Sequence, residues 1–399
     1  MRSILLPLGT TMVVQVLVSG ASLTAAVLAP LVSADLGVPA SSVGFYVALL
    51  YAGGALSGVA SGGIIARFGP LRTMQSGLVF GALAALSLAH ASLPGAALAA
   101  LLGGFSLGPT TPASSAILAR ATDPSNRNLV FSIKQTGVPA GFMVAALGLP
   151  QLAIAFGWRG ACLWVAALLA SAAVAVAPLR PRFDDRREGP VHFSPRAQFV
   201  EPLLRVWRQV ELRNISFASF AYSGLQGSLA GFMIVFLLHD TQLELVAAAA
   251  VLACAQAAGI AGRVVWGFLA DRLGRPGTVL AALGVAMAGF AALMALGAST
   301  MPYGLLIAAS IAFGGTAMAW NGVFLGEVAR LAAPGRTGEA TGATGLFTFG
   351  GVAIVPGIFT TIVFATDSYV AAYLFAGALP ALVGIALLRG RTHAGISGR

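Results

Sequence analysis

Lys134, the only lysine in the chain, stands inside the apolar stretch SIKQTGVPAG, and Arg263 stands inside another, AGRVVWGF. A cation in a lipid-spanning segment costs about 2.5 to 3.5 kcal/mol even on the lenient insertion scale, so it is expected to face a cavity and mark a solute path. No aspartate or glutamate falls deep in any apolar stretch; Glu327 and Glu339 sit near ends. Two cations at one depth without a carboxylate among them suit an anion, the arginine as a planar fork and the lysine as a point charge. Each also has a plainer reading: the lysine stem can carry its ammonium to the membrane surface, and the arginine can bond neighbouring carbonyls.

Polar neighbours could line the same path. Gln135 adjoins Lys134, and Gln256 lies two turns before Arg263 on one helical face. Gln15 shares a face with Ser19, Tyr222 shares one with Gln226, and Asn321 follows Trp320. Buried glutamine and tyrosine serve helix packing as readily. Enzyme chemistry finds no footing in the inventory. His90, His192, His239 and His393 are scattered without metal-ligand spacing, and the sole lysine does not close a phosphate-binding loop. No cofactor or metal is called for.

The elements that must position these residues are membrane helices. The chain is 58% hydrophobic and 9% charged, with a mean hydropathy of +0.88, too few charges to cover a water-soluble fold. Apolar runs of roughly 20 residues recur, each long enough to cross a hydrocarbon core of about 30 Å, and helices satisfy their own backbone there. The pattern predicts twelve spans, at 10–33, 41–66, 73–93, 96–119, 128–150, 157–178, 214–238, 245–270, 277–298, 302–328, 337–362 and 369–388. The first begins after Arg2 and lacks the small-residue cleavage site of a signal peptide before a soluble domain, so it is read as a membrane helix. Lys134 and Arg263 are each about seven residues from a span end, roughly 10 Å deep at 1.5 Å per residue.

The net charge of +10 is topological. Of the 23 basic residues, all but Lys134, Arg263 and Arg159 fall at the termini or in loops on one side, which predicts both termini and the central loop to be cytoplasmic and leaves no nucleic-acid patch. Cys162 and Cys254 lie within spans, where they read as packing residues. The central segment 180–213 opens on the charge-rich run PLRPRFDDRREGP, a linker, after which Phe199, Leu203, Trp207 and Val210 predict a short amphipathic helix at the membrane surface. The organisation expected is a six-helix half over 1–179, this linker over 180–213, and a second six-helix half over 214–399.

An internal repeat relates the halves. GGIIARFGPLR, from Gly62 to Arg72, and GFLADRLGRP, from Gly267 to Pro276, superpose on a shift of 205 residues, which places Tyr51 on Gln256, Arg67 on Arg272 and Gly69 on Gly274. A second echo runs from LARATDPSNR, ending at Arg127, to VARLAAPGR, ending at Arg336. Parallel six-helix halves suit a transporter class with its solute site near mid-membrane. Gly69 and Gly274 would permit tight turns, and Asp271 would favour the positive N-terminal end of a helix from the other half, closing one side. Pairs of small residues, Gly53 with Ser57 and Gly77 with Gly81, would let helices approach closely.

These two segments resemble the signature of the major facilitator superfamily, carried here by Gly62, Arg67, Gly69 and Arg72 in the first copy and Gly267, Asp271, Arg272, Gly274 and Arg275 in the second. Ala66 stands where the family has an aspartate. The resemblance implies the all-α major facilitator fold of twelve transmembrane helices in two pseudo-symmetric halves, with helices 5 and 8, the bearers of Lys134 and Arg263, meeting across the interface. A single arginine in helix 8 is similar to the monocarboxylate and oxalate carriers, although the monocarboxylate pattern has an aspartate where this chain has Gly259. Gly137, Pro139 and Gly141 partly match the family's exchanger motif; a kink is enough to explain them.

The expected function is secondary transport of a small organic anion, a mono- or dicarboxylate, by a monomer in the lipid bilayer of the cell inner membrane. The competing readings are an exporter of neutral or drug-like solutes and, from another class, a non-transporting membrane sensor.

Overall fold

A computed structural model describes residues 2–39, 42–184, 194, 196–241 and 243–396. Among them, eleven helical stretches are long and apolar enough to cross a membrane. One of these, Arg127–Phe183, is 57 residues long, about 86 Å at 1.5 Å per residue, and bends at Gly157 where φ is +70°. It therefore crosses twice, giving the twelve spans read from the sequence.

Helix α1 (Arg2–Ser22) begins eight residues before the predicted first span and is followed by two short helices, α2 (Thr24–Val27) and α3 (Ala29–Leu36). The predicted span 10–33 is thus corrected at both ends. Pro30 in the first turn of α3 cannot continue an α2 hydrogen-bond ladder, which accounts for the interruption. Helices α4 (Val43–Phe68), α5 (Pro70–Ala89) and α6 (Leu93–Ala121) follow, then α7 (Arg127–Gln135) and α8 (Gly137–Ala175), parted at Thr136. A short α9 (Arg180–Phe183) opens the central segment.

Residues 185–193, which include the end of the charge-rich run, lie outside the described residues. Beyond them, a π turn over Arg196–Val200 leads into α10 (Glu201–Arg208). Pro202 and Val206 are its buried residues, while Phe199 and Trp207 stay exposed and Val210 already belongs to α11 (Val210–Asp240). The remaining helices are α12 (Leu245–Leu273), α13 (Pro276–Gly297), α14 (Tyr303–Ala317), α15 (Asn321–Leu331), α16 (Thr337–Thr366) and α17 (Tyr369–Ile396).

Contacts group the chain into two compact units. The first holds the residues up to Thr122, Lys134–Arg208 and Ala332–Leu346; the second holds Asp123–Ile133, Gln209–Leu331 and the chain from Phe347 onward. In the first unit α6 packs on α4 and α5, and α8 packs on α1 and α5. The seams are lined by small residues. A Cβ at Gly77 would stand 3.0 Å from the Ser106 carbonyl oxygen, and Ser57 Oγ donates to the Gly104 carbonyl at 3.2 Å, so backbones touch where branched side chains would part them. In the second unit α12 packs on α14, and α17 on α11 and α13. Cys162 and Cys254 are free thiols.

Candidate functional site

Lys134 lies two residues before the break at Thr136 and seven residues beyond the start of α7. Only 1% of it is exposed, so its stem does not carry the ammonium to the surface. Nζ instead donates to Gln15 Oε1 at 2.7 Å and to Gln135 Oε1 at 3.0 Å. Gln15, on α1, is itself oriented: its amide nitrogen donates to Ser19 Oγ at 3.0 Å, and its oxygen accepts a second bond from Thr111 Oγ1 of α6 at 3.3 Å. Gln15, Gln135 and Lys134 thus form one buried polar cluster of the first unit. Thr111 was not foreseen; the run Thr110-Thr111-Pro112 inside an apolar span was the available signal. Tyr51, on α4, is half-buried.

In the second unit Arg263 is 5% exposed and ten residues from the end of α12, deeper than the sequence count of seven. Its Nε donates to the Met318 carbonyl at 3.0 Å. That carbonyl lies in the gap between α14 and α15, a region predicted to be one continuous span. The arginine supplies a donor where the helical ladder is broken. Trp320, in the same gap and fully buried, donates from Nε1 to Gln226 Oε1 at 3.0 Å and meets Tyr222 edge-on at 5.7 Å. Asn321 opens α15, and its Oδ1 is buried with no protein donor. Tyr222 and Gln226 are therefore brought together through Trp320, and Asn321 is the next residue of the chain. The Tyr222 hydroxyl is directed to the Leu280 carbonyl of α13 at 2.8 Å, a packing bond. Gln256 is exposed, whereas Arg263, two turns on, is buried.

The repeated signature forms the helix ends. Gly69 has φ +94° and Gly274 φ +62°, so both turns need the left-handed backbone that glycine adopts freely. Arg67, Arg272 and Arg275 are exposed and Arg72 is half-buried. The Asp271 carboxylate accepts from the backbone N–H of Asn128 at 3.0 Å and of Leu129 at 2.8 Å, and from Asn128 Nδ2 at 2.8 Å. It caps the first turn of α7, a helix from the other half of the sequence, where donors lack intrahelical acceptors and the dipole favours an anion. Gly267 permits the approach: a Cβ there would fall 2.6 Å from Ser132 Cβ.

The first copy reaches a related end differently. A Cβ on Gly62 would fall 2.7 Å from Glu339 Cβ, so α16 starts directly against α4. Ala66 offers no carboxylate, and the acid is Glu339 in the first turn of α16. Glu339 pairs with Arg205 of α10, shares a crevice with Arg120, and meets Arg336 at 3.4 Å. Nothing in the local sequence linked Glu339 to Gly62, because the contact spans 277 positions of chain (339 minus 62).

The sequence model of the Major Facilitator Superfamily matches residues 11–356. The chain belongs to the major facilitator superfamily. It is a multi-pass membrane transporter. Solved superfamily structures superpose along nearly its whole length. The E. coli fucose:proton symporter is 16% identical with a TM-score of 0.74, covering 98% of this chain and 99% of that one. The human organic anion transporter MFSD10 is 18% identical with a TM-score of 0.74, covering 97% and 99%. A proton:xylose symporter is 15% identical with a TM-score of 0.73, covering 96% and 94%. At such identities these likenesses carry the fold alone. No curated protein sequence gives a significant match.

Proposed function

We propose that this superfamily member carries a small organic anion, a mono- or dicarboxylate, by alternating access, with Lys134 and Arg263 as its positive anchors. The observation that carries the reading is the enclosure of Lys134: 1% exposed in a membrane-spanning segment, with amide oxygens of Gln15 and Gln135 on its ammonium. Amide oxygens solvate a cation and leave its charge in place. Keeping such a charge inside a span is costly, and solute recognition is the usual return. Arg263 adds a second enclosed cation, anchored through Nε to Met318, which leaves the guanidinium plane fixed in direction. Loading and release would alternate between the two membrane faces as the halves rock. The basic loops place both termini on the cytoplasmic side of the inner membrane under this reading.

A thermal-shift screen of purified protein against mono- and dicarboxylates tests the solute class, because a ligand of the folded state raises its apparent stability with concentration over Kd. Saturable shifts by carboxylates support the anion reading. Shifts by neutral or cationic compounds alone overturn it and favour the neutral-solute exporter.

A further inference from the structure

The first unit carries, apart from the polar cluster at Lys134, a groove of about 980 Å³ along α5, walled by the end of α4 and the last turns of α8. Its wall is apolar and turned outward: Val79 is 45% exposed, Leu83 44%, Leu86 46% and Val174 73%. From Arg72 to Leu86 it follows α5 for 14 residues, about 21 Å at 1.5 Å per residue, more than half the thickness of a hydrocarbon core.

One end of this groove is cationic. Arg72 and Arg180 both line it there, with Thr73, Gln75 and Ser76 beside them. Arg180 donates to Gln75 Oε1 from Nε at 2.7 Å and also from Nη2, while Gln75 donates from Nε2 to the Ala173 carbonyl. The amide thus fixes Arg180 between α5 and α8 at the groove's mouth. Arg72 Nε is buried and has no protein acceptor. The nearby carboxylate, Asp184, is 2% exposed and accepts from the backbone N–H of Leu71 at 2.8 Å and of Arg72 at 3.2 Å, so its described bonds go to the start of α5.

An apolar trough the length of an acyl chain, ending at two guanidinium groups at the level where basic loops leave the membrane, matches one amphiphile. We propose that this groove binds an anionic phospholipid of the leaflet on the basic side, its phosphate on Arg72 and Arg180 and an acyl chain along Val79, Leu83 and Leu86. Guanidinium suits phosphate through paired N–H donors, and the negative leaflet supplies the ligand at high local concentration. The proposal is independent of which solute the protein carries.

The test uses delipidated protein in detergent, with bound lipid counted by native mass spectrometry and melting temperature followed in parallel. Dioleoyl phosphatidylglycerol should bind saturably and raise the melting temperature; phosphatidylcholine with the same chains should do neither. Glycerol phosphate, the headgroup charge without chains, should not displace the bound lipid. Arg72→Gln should weaken binding about tenfold, the loss of one charge-assisted hydrogen bond. Leu83→Trp, which keeps both charges and narrows the trough, should weaken it as well and covers the case of an Arg72 variant that does not fold. Equal binding of the two lipids, displacement by glycerol phosphate, or wild-type lipid binding in the folded variants would each overturn the proposal.

Discussion

Asp271→Asn is the substitution whose effect the geometry defines best. The carboxylate holds three donors, two backbone N–H groups of the first α7 turn and the Asn128 amide, at 2.8 to 3.0 Å. Asparagine has almost the same shape but only one acceptor oxygen. Its new NH2 must face a donor it replaced an acceptor for, and the charge opposite the helix N-terminus is gone. Losing the charge-assisted part of one such bond, about 1.5 to 3 kcal/mol, together with the dipole interaction of about 0.3 to 1 kcal/mol, weakens the seat of α7 on α12 by roughly 2 to 4 kcal/mol. At 1.4 kcal/mol per factor of ten, the population with α7 unseated should rise about 30- to 700-fold.

Hydrogen exchange followed by mass spectrometry reads this directly, since the Asn128 and Leu129 amides are the bonded groups. Exchange in peptides covering 123–133 should accelerate by that factor in Asp271→Asn, peptides from α13 should be unchanged, and Asp271→Glu should lie nearer wild type. Accessibility of the basic-loop side should rise with it. Wild-type exchange at 128–129 in the folded variant would refute the cap as the element that holds α7, and with it the gating role of Asp271.

Neutralising Arg263 or Lys134 to glutamine should weaken transport of an identified anion about tenfold or more each, with the double variant losing less than the sum of the two; wild-type affinity in both singles would make the cations structural. Arg263→Lys should stay impaired, because it keeps the charge and loses the Nε donor to Met318. Gly62→Ala should unseat the start of α16, read as faster exchange over 337–346, because its Cβ has nowhere to go beside Glu339. Arg205→Gln should have a smaller effect, fivefold at most, since the ion pair is 43% exposed on the arginine side and such pairs contribute up to about 1 kcal/mol. A cysteine placed at Ser194 should resist an impermeant thiol reagent in intact cells; labelling from outside would invert the topology.

What the sequence made legible follows the physics of each feature. Twelve spans could be read because lipid imposes length and apolarity on each span separately. The repeat located the turns at Gly69 and Gly274 because a left-handed backbone is a local demand. Interruptions were harder. The gap at 318–320 has no proline or glycine to announce it; it is stabilised from outside by Arg263 on α12 and by Gln226 on α11. Helical phase puts Tyr222 and Gln226 on one face of α11, yet phase does not say which acceptor a hydroxyl meets, and Leu280 took it. Thr111 entered the Lys134 cluster through α6, a partnership of helices rather than of neighbours in sequence.

The asymmetry between the two signature copies changes what the central segment does. Where α7 is seated, the acid belongs to α12, and its strength depends on two helix ends alone. At the start of α16, the aspartate of the usual pattern is replaced by Ala66 and the acid rides on the seated helix itself. An acid there cannot hold α16 to α4 by capping, because it is already part of the helix it would cap. It needs a cation from outside, and Arg205 of α10 provides one while also pairing with Glu201 at 3.1 Å. The segment between the halves is therefore mechanically engaged at this end: Gln198 lies over Gly63 of α4, and Arg205 holds Glu339. A tether would tolerate any sequence of sufficient length. An engaged segment would not, so replacing 196–208 by a flexible glycine-serine stretch of equal length should loosen the start of α16 as Arg205→Gln does, and by more, because the packing of Pro202 and Val206 is lost with the ion pair. Unchanged exchange over 337–346 in that replacement would return the segment to the role of a simple connector.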